Sequence, residues 1–219
     1  MTRSLKVVMA AVAAAAMLGM AGCQVDVGTG GGGDGTGATA DPGTGAADAA
    51  AQLEELTVGK AGSMSGYSRE KFPHWRSTGK NCDMRDKILQ RDGENIRLDG
   101  CNVTGGSWYS IYDAKTYEDP SKVDIDHMVP LANAWRSGAN EWTNEQRGDF
   151  ANDEERPQLF AVSASQNRAK GDQDPSTWKP ASEDFWCTYA QDWITVKHYW
   201  KLSITSAEKG ALTDMLAKC

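Results

Sequence analysis

The sequence predicts an α+β domain, mainly helical and disulfide-bonded, in which two short strands and the helix that follows them form a small unit of their own. Three observations predict it. Val123-Asp124-Ile125-Asp126-His127 alternates apolar and polar residues, the period of a half-buried strand. Leu159 to Val162 is a second run of strand length, and Ser163-Ala164-Ser165-Gln166 leads from it directly into a helix containing Asn167. Tyr189, Trp193, Val196 and Trp200 mark one face of a helix, and Thr205-x-x-Glu208 opens a last one carrying Leu212, Met215 and Leu216.

The elements fall in a chain of 219 residues, the length of one ordinary domain. Residues 1–23 read as a signal peptide: Arg3 and Lys6 give a positive start and Val7 to Met20 an apolar core too short to span a membrane stably. Met20-Ala21-Gly22-Cys23 resembles a bacterial lipobox, which implies lipidation of Cys23 and a membrane anchor; plain secretion is the other outcome. Residues 24–55 are expected to be a flexible tether, because nine of the 23 Gly lie between Gly28 and Gly45 and no aromatic residue precedes Tyr67. A chain beginning near Leu56 is therefore expected to fold like the full one, and residues 56–219 form the domain.

Within it, Met84, Ile88 and Leu89 at helical spacing predict a helix over Asp83 to Arg91, closed by Gly93. Val103 to Tyr112, with Gly105-Gly106 inside, reads as a hairpin or a bulged strand pair. Leu131 to Gly138 is a short helix, and Thr143 to Ala151 another, opened by the capping box Thr143/Gln146. The Trp residues fit core positions better than a sugar-stacking face. Arg85 and Arg91 read as solvated helical cations, Asp153 to Glu155 as a solvated acidic run, and His74 and His198 as packing or surface histidines.

Charge and cysteines narrow the class. The net charge is −7, and residues 56–219 carry 21 basic against 24 acidic side chains, so affinity for nucleic acid cannot come from bulk charge; a local basic patch is still allowed. With Cys23 given to lipid, Cys82, Cys101, Cys187 and Cys219 remain, an even set suited to two disulfides in an exported protein. Spacing does not select among the three pairings; the sequential one, Cys82 with Cys101 and Cys187 with Cys219, is the expectation. No C-x-x-C pair favours zinc.

The chemistry lies in two segments. Asp124-Ile125-Asp126-His127-Met128-Val129-Pro130 sets a carboxylate beside an imidazole at a strand end, and Ser165 to Asp172 offers an amide, two cations and a carboxylate. Together they suit phosphodiester hydrolysis: hard oxygen ligands for a divalent ion, a histidine to take a proton from water, cations to hold phosphate.

In this order the segments are more specific. Asp126-His127-x-x-Pro130, then Gln158-Leu159, then Asn167-Arg168-x-Lys170 resembles the HNH or ββα-metal nuclease motif in the variant with Asn in place of the final His. Arg85-x-x-Ile88-Leu89-x-Arg91-Asp92, Ala134-Trp135-x-x-Gly138-Ala139, Phe150-Ala151-Asn152-Asp153 and Trp178-x-Pro180 extend the similarity over nearly all of residues 67–219. The chain looks like the exported HNH endonucleases of actinobacteria, related to the domain of unknown function 1524.

The resemblance implies a ββα-metal centre with His127 as general base and Asp126 and Asn167 as ligands of Mg²⁺ or Mn²⁺. Gln158, standing where the family has Asn, or else Asn152, would support the loop that orients the histidine. Lys170 and Arg168 would contact phosphate. The expected activity is metal-dependent endonuclease cleavage, of DNA rather than RNA, with a rate that rises through pH 6–7 as a histidine of ordinary pKa loses its proton. The alternative is an envelope-tethered binding module in which the same cluster holds a structural metal.

Overall fold

The computed structural model describes residues 42–79 and 81–219, so the signal sequence, Cys23 and the first part of the tether lie outside the described residues. The helices are α1 (Pro42–Glu55), α2 (Met84–Asp92), α3 (Leu131–Arg136), α4 (Asn144–Ala151), α5 (Ala164–Lys170), α6 (Trp186–Tyr199) and α7 (Ser206–Leu216). The strands are β1 (Ser77–Gly79), β2 (Cys82–Asp83), β3 (Gly93–Asp99), β4 (Asn102–Ser110), β5 (Lys115–Tyr117), β6 (Val123–His127) and β7 (Leu159–Ser163). They form three separate sheets, β1-β2, β3-β4-β5 and β6-β7. The domain is thus a mixture of helix and sheet rather than mainly helical. The reason is local: the stretch from Gly93 to Tyr117 is almost wholly extended, because Gly100, at φ 64°, reverses the chain between β3 and β4.

That reversal decides between the two readings of Val103 to Tyr112 in favour of the bulged strand pair over a hairpin turning at Gly105-Gly106. Both lie inside the continuous strand β4, where a Cβ on Gly106 would stand 2.6 Å from Ile96 Cδ1. The glycines make room for side chains crossing from β3, and the register with β3 is bulged there.

Residues 42–55, expected to be tether, form α1 instead. Ala46-Ala47-Asp48-Ala49-Ala50-Ala51 is poor in apolar bulk but rich in the strongest helix former, and Ala49 and Leu53 supply a narrow apolar seam. Both are buried in the larger core beside α6 and α7. Glu54 pairs with Lys209 at 2.8 Å and Glu55 with His198 at 2.7 Å. The next residues add a parallel bridge, Val58 with Ile204.

Sheet β6-β7 is a partition between two cores. Period-two alternation sends Val123, Ile125, Leu159 and Ala161 into a smaller cluster with Ile88, Leu89 and Trp108, while Val162 joins the larger one. The sheet has only two strands, and α2 satisfies part of its backbone. Arg91 Nη2 donates to Leu159 O at 2.6 Å, Asp92 Oδ2 accepts from Ala161 N at 2.8 Å, and Arg85 Nη2 donates to Val123 O at 3.5 Å. Arg85 and Arg91 are therefore staples of the fold, not solvated cations.

The two disulfides are Cys82–Cys101 and Cys187–Cys219, with Cα separations of 5.3 and 5.1 Å. The first ties the start of α2 to the β3-β4 turn, and the second ties α6 to the chain end. Each is worth on the order of 3 kcal/mol through the unfolded chain.

Two outcomes follow. Starting the chain at Leu56 lowers the urea midpoint, and Leu53→Ala alone costs about 2–5 kcal/mol by equilibrium denaturation; an unchanged midpoint in the shortened chain would mean that α1 contributes nothing to the core. Unfolding the oxidised domain without reductant exposes no reactive thiol from Cys82, Cys101, Cys187 or Cys219, which a thiol titration checks.

Candidate active site

β6 and β7 pair antiparallel from Val123↔Ser163 to His127↔Leu159. Ser163 ends β7 and caps α5, its hydroxyl accepting from Gln166 N at 3.4 Å, so strand passes into helix without a loop. Asp126 and His127 stand at the end of β6, and Asn167 one turn into α5. All three line one cleft of about 230 Å³, together with Tyr67, Arg69, Pro130 and Asp172.

Lys170, on the last turn of α5, does not reach this cleft. It is fully buried, and its Nζ makes a short ion pair with Asp126 Oδ2 while donating to His127 O at 2.7 Å and Met128 O at 2.9 Å. Three acceptors call for three N–H groups, so the ammonium is charged and Asp126 is its carboxylate, although burial alone pushes the Asp126 carboxyl up and the lysine down. Tyr112 OH adds a 2.6 Å hydrogen bond to the same Oδ2. The expected phosphate contact from Lys170 is thereby corrected: the side chain is spent inside the protein. Arg168 is 74% exposed and lies 3.5 Å from Asp124 Oδ2.

Asp124 also accepts from Asn167 Nδ2 at 3.3 Å. With its nitrogen engaged there, the amide has Oδ1 to offer a ligand in the cleft. Among the described residues no three His, Cys, Asp or Glu side chains gather as a metal site. Of the oxygen donors lining the cleft, Asp172 is paired with Arg136, which leaves the Asp126 carboxylate, whose Oδ2 is occupied, and the Asn167 amide as the two at the junction of β6 and α5. Two hard donors with space for water fit Mg²⁺ or Mn²⁺, which retain much of their hydration, and do not fit zinc.

His127 is buried, and its Nε2 lies 2.9 Å from Ala151 O. A carbonyl only accepts, so Nε2 carries the proton and the neutral ring's lone pair is on Nδ1. Burial, aided by the charges of Arg69 and Lys170, lowers the pKa from the usual 6.5 to about 3. The expectation of a rate rising through pH 6–7 is corrected accordingly, since in the free domain the imidazole is already neutral there.

Gln158, fully buried, holds the turn after His127 by both ends of its amide: Oε1 accepts from Val129 N and Nε2 donates to Val129 O, each at 3.0 Å. Asn152 does something else. It accepts from Arg76 N at 2.9 Å and donates to Pro73 O at 2.8 Å, tying residues 73–76 to α4. That arm brings Trp75, at φ 59°, to within 5.7 Å of the His127 ring. A left-handed backbone at a bulky residue is costly and needs such support. Asp153 is buried rather than solvated, accepting from Arg156 Nε at 2.7 Å and Trp200 Nε1 at 2.8 Å.

Residues 81–215 match the family described as GmrSD restriction endonucleases, C-terminal domain. The chain belongs to this family. A protein of Arthroderma benhamiae (strain ATCC MYA-4681 / CBS 112371), named "Uncharacterized secreted protein", is 53% identical over 175 residues, 80% of this chain and 86% of that protein. No solved structure matches. In this GmrSD-type C-terminal domain Asp124, Asp126, His127, Gln158, Asn167 and Lys170 all lie in the matched stretch, whereas Arg69, His74 and Trp75 precede it.

Sequence reasoning missed Asp124, Tyr112 and Arg69 at the site. Asp124 had a signal, as the outer carboxylate of Asp-x-Asp-His; Tyr112 and Arg69 had none, because their distance from the motif closes only in three dimensions.

Two further outcomes follow. Lys170→Met leaves the Asp126 carboxylate buried without its cation and costs about 3–5 kcal/mol of stability by denaturation; a solvent-facing phosphate ligand would cost almost nothing. The unfolded imidazole takes a proton below its ordinary 6.5 while the folded one resists until about 3, so its stabilising contribution is full above 6.5 and is lost as pH falls towards 3. The stability gap between the wild type and His127→Gln should shrink over that interval in urea titrations.

Proposed function

We propose that this domain is a divalent-metal-dependent endonuclease of the HNH type, hydrolysing phosphodiester bonds in nucleic acid, DNA before RNA. The observation that carries the reading is the convergence of Asp126, His127 and Asn167 on one cleft from adjoining strand end and helix. Membership in a family of restriction endonuclease domains supports it.

Asp126, through Oδ1, and Asn167, through Oδ1, would hold Mg²⁺ or Mn²⁺. Bound there, the ion supplies positive charge beside the phosphate oxygens. His127 Nδ1 takes a proton from the water that attacks phosphorus. A base with a pKa near 3 is weak, but an anionic phosphate entering the cleft favours the imidazolium and raises that value. Ala151 O, fixing Nε2–H, and Gln158, pinning Val129, keep the ring in one orientation and tautomer. Lys170 and Tyr112 keep Asp126 ionised and aimed.

The same reading includes export, which the signal-like residues 1–23 and the name of the secreted relative support, with Cys23 as a site of lipid attachment on sequence grounds. Among the described residues no helix is long and apolar enough to cross a membrane.

Incubating the protein with plasmid DNA and with RNA, in Mg²⁺, Mn²⁺ or EDTA, tests the activity. His127→Ala is expected to slow cleavage by at least about 10²-fold with metal affinity intact, and Asp126→Ala and Asn167→Ala to raise the metal concentration for half activity. Loss of metal binding in His127→Ala would make the histidine a ligand and favour a structural metal.

A further inference from the structure

The carboxylates at the cleft are each neutralised by a cation of their own. Of those lining it, Asp126 has Lys170 and Asp172 has Arg136 Nη1 at 2.6 Å; Asp124, which holds the cleft residue Asn167, has Arg168 at 3.5 Å. Arg69 lines the same cleft and, among the described residues, forms no ion pair with any carboxylate. Its positive charge is left for a ligand.

The hydrogen bonds around Arg69 orient it. His74 Nδ1 lies 2.8 Å from Phe72 O, so Nδ1 carries the ring proton and Nε2 is an acceptor. Arg69 Nε donates to that Nε2 at 3.4 Å. Phe72 is itself fully buried in the larger core, and Trp75 contacts the His74 ring at 5.4 Å and the His127 ring at 5.7 Å. The guanidinium is therefore held by Nε on an arm anchored to the core on one side and to the proposed base on the other. Its Nη1 and Nη2 make the planar fork that matches two oxygens of a phosphate.

We propose that Arg69, positioned by His74, is the phosphate-binding cation of this cleft and engages a phosphodiester of the nucleic-acid strand beside the one that is cut or at it. The inference rests on the nuclease reading and deepens it, supplying from outside the motif the contact that buried Lys170 cannot make. It also gives a role to the left-handed backbone at Trp75, which sets the arm carrying Arg69 and His74 against the His127 ring.

The test is binding of fluorescently labelled DNA oligonucleotides by the full chain carrying His127→Ala, which should bind without cutting, at several salt concentrations. Adding Arg69→Ala is expected to weaken binding about tenfold or more and to reduce the slope of log K against log salt by about one, the loss of one phosphate contact. Arg69→Lys keeps the slope and loses part of the affinity, since it retains charge but not the fork. His74→Ala weakens binding less than Arg69→Ala and leaves the slope intact, with the unfolding midpoint unchanged in the Arg69 variants because that side chain is exposed. If the wild-type chain cleaves DNA but Arg69→Ala changes neither affinity nor slope, or if the slope falls with Arg168→Ala instead, this inference is overturned alone. If the wild-type chain neither cleaves nor binds nucleic acid, the nuclease reading falls and takes this one with it.

Discussion

The ammonium of Lys170, sealed from solvent against the Asp126 carboxylate and the carbonyls of His127 and Met128, is the contact on which the rest of the site depends. It joins the last turn of α5 to the end of β6, so the helix that carries Asn167 and the strand that carries His127 cannot move apart. Burying both charges is expensive, and the cost is offset only because every N–H of Lys170 has an acceptor and Tyr112 adds a donor to Asp126. An apolar pair of the same volume would pack as well but would leave two carbonyls unsatisfied at the turn after His127 and nothing to fix a carboxylate at the cleft.

The same device recurs away from the cleft. Lys197, also fully buried, donates to Ser137 Oγ at 2.8 Å and Ser203 O at 2.9 Å and pairs with Glu208 at 3.1 Å. It fastens α6 to the cap of α7 and to the end of α3. The ring of Trp193 lies 5.9 Å from Lys170 Nζ and 5.7 Å from Lys197 Nζ, and its indole N–H donates to Glu208 at 2.7 Å. One buried aromatic thus borders both ion pairs, its π face serving as a weak partner for each ammonium. The docking of α1 on α6 extends that framework to residues the Gly/Ala-rich composition had suggested were loose.

Burial has a price at the proposed base. The surroundings that orient His127, from Ala151 O to Trp75, also strip it of water and favour the neutral ring. A ring already neutral can accept a proton at once, but holds it only where negative charge is close. The balance of charges at the cleft suits that requirement: its carboxylates are compensated internally, and Arg69 on the preceding arm, without an ion pair among the described residues, is the cation proposed to meet an anion there. The segment matched by the GmrSD family contains the proposed ligands and base, while the arm before it adds the cover and the cation.

Strand β6, strand β7 and the helix that follows it, the capped starts of α4 and α7, and the order Asp126-His127, Gln158, Asn167 were legible in the sequence because each rests on a local pattern: a period, a cap, a spacing. Gly105-Gly106 left hairpin and bulged strand pair open because glycine marks close approach as readily as a turn, and the Ala-rich stretch of α1 misled because alanine is silent about burial while favouring helix. The disulfide pairing was one of three that spacing allowed, and Cα separations of 5.3 and 5.1 Å decided it. By itself, then, the sequence determined on what kind of element Asp126, His127 and Asn167, the proposed base and ligands, would sit. The tertiary structure alone decided that Lys170 turns inward to Asp126, 44 residues away, that Asp124 holds Asn167, and that Arg69 faces the cleft. The reason is physical: whether a charge is solvated, paired or left for a ligand depends on which distant groups come within a few ångströms of it, and no local pattern encodes that.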